Sequence, residues 1–205
     1  MNIKPLHIKR LLKRLFLFSV LFSLFFCFSC RSIPPSIPKA IMGTGRLTQE
    51  QLASFFLTQT ALRQEGEVDR EKVERLAEYY VKESAAEGIN ADVAFAQMCL
   101  ETGFLRFGGL VTADMNNFCG LGAINAENPG VAFPDEQTGV RAHIQHLKAY
   151  ASAEPLNLPS VDPRYRYVNP KGKAPHIYNL AGTWASDPAY GHKIDQLLRR
   201  MYAGL

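Results

Sequence analysis

Residues 90–105 read NADVAFAQMCLETGFL, and this stretch decides the fold class. Asn90 is a residue type that caps helix starts, because its side-chain oxygen accepts from early helical N–H groups. Val93, Ala94, Phe95, Ala96, Met98, Cys99 and Leu100 then make the segment apolar on nearly every side. Such a helix has no face to give to water, so it predicts the buried member of a helical bundle. Gly103 offers the left-handed stop. In the last two turns only Gln97 and Glu101 are polar.

The flanking sequence supplies partners for that helix. Thr48 and Gln51 form a capping-box pattern ahead of Leu52, Phe55, Phe56 and Leu57, which carries a helix to about Ala61. A polar linker covers Glu65 to Asp69. Val73, Leu76, Ala77, Tyr80 and Val81 make one apolar side of a helix from Arg70 to about Glu87, ended by Gly88. Downstream, Val140, Ile144, Leu147 and Tyr150 predict a helix from Gln137 to about Ala151. Asp187-Pro188 reads as the N-cap and first position of a last helix, with Ile194, Leu197, Leu198 and Met201 as its buried stripe. Residues 106–134 are turn-rich, with Gly108, Gly109, Gly120, Gly122 and Gly130, and have room for a short hairpin. Residues 154–180 form a long loop rich in proline, tyrosine and asparagine, and a loop of that length usually has a function. The expected class is mostly α, a helical domain with a lobe of loops and a short hairpin.

The net charge of the 205 residues is +4, but Lys4, Lys9, Arg10, Lys13 and Arg14 lie in the first 14 positions without an acid. The rest holds 18 basic and 19 acidic residues, so it has no broad basic surface for nucleic acid. One local cluster is basic: Arg164, Arg166, Lys171 and Lys173, with Tyr165 and Tyr167 between. It reads as a solvated loop or as a rim that greets an anionic polymer.

Behind the basic start, residues 15–29 read LFLFSVLFSLFFCFS. A 15-residue, mostly apolar run is short for a membrane span, which takes about 20, and suits a secretory signal. Ser29-Cys30 resembles a bacterial lipoprotein cleavage site, although Cys27 and Phe28 depart from its usual residues. An ordinary cleaved signal and an uncleaved anchor are the other readings, and all three place the domain outside the cytoplasm. The expected organisation is a signal peptide at 1–29, lipidated Cys30 with a flexible tether at 30–45, and a folded domain at 46–205. Cys99 and Cys119 remain, either as a disulfide or as two buried thiols. Cys99 and Cys119 form no CxxC and the histidines show no ligand spacing, so no metal or other cofactor is expected; His143 and His146 lack a third ligand.

Glu101 is the position with chemistry in it. Burial disfavours a carboxylate, and the negative end of a helix repels one, so both raise its pKa. A carboxyl kept protonated near neutral pH is what a general acid for glycoside cleavage requires. Gln97, one turn back on the same face, is placed to orient it.

Four segments in order, AQMCLETGFLRFGGL, NNFCGLGA, FPDEQTGVRAHIQHLKAY and TWASDPAYGHKI, resemble the glucosaminidase family of peptidoglycan hydrolases, glycoside hydrolase family 73. The resemblance covers about residues 70–203 and implies a lysozyme-like fold. It implies further that Glu101 is the catalytic glutamate and that Asn117, Phe118 and Gly120 form a turn beside the cleft. Asp187, Pro188 and Tyr190 match the family's Thr-Asp-Pro-x-Tyr-like motif. Trp184 and Ser186 stand where tyrosine and threonine are common. The segment between Gly122 and Phe133 is short, and Glu127 is its only acid, which makes it the first candidate for a second carboxylate. The family also allows one glutamate to act with the substrate's own acetamide. Trp184, Tyr190, Phe118 and Tyr178 are candidates for sugar stacking, and Phe55, Phe56 and Phe95 for the core. The activity implied is hydrolysis of β-1,4 bonds in peptidoglycan strands. A lytic transglycosylase or muramidase on the same fold, and a wall-binding lipoprotein without turnover, are the alternatives.

Overall fold

The computed structural model describes residues 36–63 and 68–204. The signal segment and Cys30 lie outside these residues. Five α-helices follow in order: α1 (Gln49–Leu62), α2 (Arg70–Glu87), α3 (Ala91–Glu101), α4 (Glu136–Ala151) and α5 (Tyr190–Ala203). Short 3-10 turns sit at Ala113–Met115, Tyr165–Tyr167 and Ile177–Leu180, and no strand occurs among the described residues.

α3 is the centre. Every residue from Ala91 to Cys99 is buried, and the helix touches α1, α2 and α5. Its 11 residues are too few for a helix to persist alone, so packing holds it. Val93, Phe95 and Met98 are fully enclosed, each burial contributing about 1.5–3 kcal/mol. Asn90 caps it, accepting from Asp92 N and Val93 N as its residue type implies. The capping box at Thr48 and Gln51 forms, and left-handed Gly88 closes α2.

Three boundaries differ from the sequence expectation. The packed domain begins at Ile37, not at 46. Ile41 is fully buried, its N–H donates to Pro175 O, and its carbonyl accepts from Asn90 N. Ile41 thus makes the end of the expected tether a strap on the helical body, and Arg46 and Leu47 continue it by donating their N–H groups to buried Asp92 at the start of α3. The last helix begins at Tyr190, with Asp187 shaping the turn before it by accepting from Ala189 N. The proline at 188 reads equally well as a turn residue. The hairpin region closes as a tight turn, with Ile124 N on Asn128 O and Val131 N on Leu121 O, too short to form strands.

The long loop after α4 is fastened from below. Glu87 at the end of α2 is wholly buried and accepts from Lys148 Nζ at 2.9 Å, Asn157 N at 2.8 Å and Leu158 N at 3.1 Å. Burial alone pushes its carboxyl up; the Asn157 N–H, the Lys148 ammonium and the Leu158 N–H outweigh that and hold it below the ordinary range. Gly139 is where α4 crosses the turn at Asn116: an added Cβ there would lie 1.8 Å from Asn116 O.

Candidate active site

Glu101 ends α3 half-buried on the wall of an open cleft of about 490 Å³, bordered also by Arg106, Phe107, Asn117 and Gly120. The chain leaves Glu101 sharply. Gly103, Phe104, Leu105 and Phe107 all have positive φ, between 55° and 61°. Each non-glycine residue so placed costs roughly 1–2 kcal/mol. Burial of Phe104 offsets this, with its ring centroid 5.2 Å from that of Phe56. The turn folds Phe104 inward and leaves the carboxyl at the mouth of the cleft.

Trp184 Nε1 donates to Glu101 Oε1 at 2.9 Å, and the Tyr190 hydroxyl donates to the same oxygen. Behind Tyr190 runs a buried chain of hydrogen bonds. Gln97 Nε2 donates to the Tyr190 oxygen at 2.9 Å. Gln97 Oε1 meets His143 Nε2 at 3.1 Å, and His143 Nδ1 meets the Tyr80 hydroxyl at 2.8 Å. With the Gln97 amide so oriented, its carbonyl can only accept, so the His143 proton sits on Nε2. Nδ1 is then bare, and the Tyr80 hydroxyl donates to it. This requires a neutral imidazole; burial, with a smaller contribution from the charge of His146, lowers the His143 pKa to about 3.

Every link therefore points its donor toward Glu101 Oε1. Two donors on that oxygen leave Oε2 as the atom that carries the acidic proton. Burial raises the Glu101 pKa, and the bonds from Tyr190 and Trp184 oppose that without cancelling it. Trp184 is itself wedged by His143, His146 and Tyr150, whose ring centroids lie 5.9, 5.2 and 5.1 Å from its own. Those three residues recur at helical spacing on one side of α4.

Tyr190→Phe keeps the ring and removes one donor that stabilises the carboxylate. The Glu101 pKa is then expected to rise further, moving the alkaline limb of the kcat/KM profile to higher pH. The rate is expected to fall about ten- to a hundredfold, matching a lost bond of about 1.5–3 kcal/mol. A profile with an unmoved alkaline limb contradicts this.

The other candidates divide. Gln97 is fully buried behind Tyr190, so it orients Glu101 through that hydroxyl and does not meet substrate. Phe118 is fully enclosed against Phe107 and takes a core position instead of a sugar-stacking one. Asn117 borders the cleft, but its amide is spent on Leu121 and Val131, holding the turn. Trp184 is part-exposed and lines a smaller hollow next to the cleft. Tyr178 stacks on His192 and lines neither side of the cleft. Glu127 is exposed in the turn between Asn125 and Asn128 and likewise lines neither side. Asp135 caps α4, and Glu136 pairs with Arg75 and Lys72. Cys99 and Cys119 are free buried thiols. Sequence reasoning missed His143, Tyr150 and Tyr80. The signal was there in the spacing of 143, 146 and 150, which fits a shelf for one aromatic ring better than a metal pair.

A helical domain that presents a single raised-pKa carboxyl on an open groove, backed by aromatic donors, is the plan of a lysozyme-like glycosidase. Residues 77–203 match the Glucosaminidase family model, described as mannosyl-glycoprotein endo-beta-N-acetylglucosaminidase. The chain belongs to this family of glycosidases, glycoside hydrolase family 73. A protein of Borreliella burgdorferi (strain B31), described only as uncharacterized, is 46% identical over 132 residues. The match spans 64% of each chain, so the two share the domain and not the whole length. The fold is similar to a crystal structure of S. aureus autolysin E in complex with the muropeptide NAM-L-Ala-D-iGlu. That likeness has a TM-score of 0.50 at 15% identity, and covers 82% of this chain and 74% of the other.

Proposed function

We propose that the protein is an endo-β-N-acetylglucosaminidase that cuts β-1,4 bonds in peptidoglycan strands on the reducing side of N-acetylglucosamine. Glu101 Oε2 protonates the glycosidic oxygen as the bond to the anomeric carbon breaks. The observation that carries this reading is the double donation to Oε1, which supports Oε2 as the oxygen that holds the proton. Family membership and the muropeptide bound by autolysin E support peptidoglycan as the substrate. The apolar run before Ser29-Cys30 supports export and anchoring by lipid on Cys30, which would keep the enzyme near the wall.

The exposed position of Glu127 supports attack by the substrate's own acetamide oxygen, with water opening the resulting oxazolinium ring. Digestion of purified peptidoglycan tests both points. Mass spectrometry of borohydride-reduced fragments is expected to show new N-acetylglucosamine reducing ends. Muramic acid reducing ends or anhydromuramic ends would instead establish a muramidase or a lytic transglycosylase. Glu127→Gln is expected to keep its rate within about threefold, since general bases usually contribute about 10²–10⁴. A hundredfold loss would make it the second carboxylate.

A further inference from the structure

Beyond Gly120 the cleft continues into a second hollow of about 200 Å³, lined by His146, Tyr150, Arg164, Tyr167 and Trp184. Gly120 borders both parts, and Trp184 links them, since its indole N–H reaches Glu101. On the proposed reading, the hollow lies within reach of the sugars that flank the bond at Glu101. No acidic side chain lines this part among the described residues, and Arg164 supplies its fixed positive charge.

Arg164 is built in, not loose. Its backbone N–H is bound at 2.7 Å by Asp162 Oδ1, and its guanidinium lies 5.1 Å from the centre of the Tyr167 ring. Asp162 is buried and its other oxygen is bonded to His146 Nδ1 at 2.8 Å. No carboxylate forms an ion pair with the Arg164 guanidinium among the described residues. A planar fork of N–H donors over an aromatic face and without an ion-pair partner suits an oxyanion, a carboxylate or a phosphate. Stacking leaves the edge of the fork free to donate. Arg166, Lys171 and Lys173 on the same loop rest on Tyr167, Tyr165 and Tyr150 outside the lining itself, so the loop around the hollow is basic.

The proposed substrate carries such a group beside every cut. In a strand that alternates N-acetylglucosamine and N-acetylmuramic acid, both neighbours of the glucosamine are muramic acid. Each muramic acid bears a lactyl ether. That side chain ends in its own carboxylate or, when amidated, continues into a peptide with a carboxylate on its second residue. We propose that this hollow is a binding site for a carboxylate on the lactyl side chain of a muramic acid residue flanking the scissile bond, with the Arg164 guanidinium as its partner. This rests on the peptidoglycan reading above and adds a ground for choosing muramic-acid strands over uncharged chitin.

The test is calorimetric binding to the Glu101→Gln protein, which needs no turnover. Three tetrasaccharides serve as probes: chitotetraose, the alternating strand with free lactyl carboxylates, and that strand bearing L-Ala-D-iGlu. At least one acidic strand is expected to bind about tenfold more tightly than chitotetraose, and adding Arg164→Gln is expected to erase that preference. Tighter binding of the peptide-bearing strand names the stem as the source of the carboxylate; tighter binding of the bare strand names the lactyl group. The proposal is overturned if Arg164→Gln weakens all three probes equally, or if the preference survives it or never existed. Mass spectrometry of the recovered probes separates the two claims. A cut probe sinks the role of Glu101 and leaves Arg164 to be judged on N-acetylmuramyl-L-Ala-D-iGlu, which has no glycosidic bond.

Discussion

Glu101→Gln is expected to lose about 10²–10⁴-fold in the rate of peptidoglycan digestion while folding normally. The amide keeps an oxygen where Trp184 and Tyr190 donate, so the cleft keeps its shape. What it lacks is an acidic proton. Stability gives a second readout with a definite sign. Burial raises the pKa of Glu101, so the folded state favours the protonated form. The stability this contributes is complete below the ordinary glutamate range and is lost as pH rises through the folded value. The glutamine variant has no charge to bury and should be at least as stable as the wild type at pH 7 and above. Undiminished digestion would remove Glu101 from the chemistry. Lower stability at pH 7 would mean that the carboxylate is held, not merely tolerated.

Lys148→Met is expected to have the largest effect on stability. Lys148 and Glu87 are both almost fully buried, and removing one leaves the other charge without its partner. Breaking such a pair costs about 3–5 kcal/mol. In the wild type the Glu87 pKa is depressed, so its contribution is present above the ordinary carboxylate range and fades as pH falls through the folded value. Urea unfolding at pH 7 measures the loss. The double variant Glu87→Gln with Lys148→Met should recover much of it, since replacing both ions is far milder than orphaning one. A loss below about 1 kcal/mol in the single variant would show that water reaches the pair. Activity should fall too, because Glu87 also binds Asn157 and Leu158 and so fastens the loop that carries Arg164.

How much of this was legible beforehand depends on what each residue has to satisfy. α3 could be read because an all-apolar helix with a capping asparagine has only one comfortable place. Glu101 could be read because a carboxyl at the end of such a helix is costly anywhere but at a site. The start of the domain was misplaced because residues 37–47 hold no periodic pattern; the contacts that bind them, to Asp92 and Pro175, are distant in sequence. Phe118 reads as a sugar-stacking candidate because a residue type does not reveal which side of a turn it faces. The chain from Tyr80 through His143 to Gln97 joins three helices, and no local spacing encodes it. Arg164 was visible as part of a basic cluster. Its position beside Trp184 follows from the clamp at Glu87, which only the fold brings together.

The state of the Glu101 carboxyl can be observed directly. A ¹³C NMR titration of side-chain carboxyls, with the Glu101 signal assigned by its disappearance in Glu101→Gln, reads the pKa at the cleft. A midpoint above the ordinary value of 4.5 is predicted, moving higher in Tyr190→Phe. A midpoint at or below 4.5 would show a carboxylate stabilised by Trp184 and Tyr190, with no proton to deliver at the pH of the reaction.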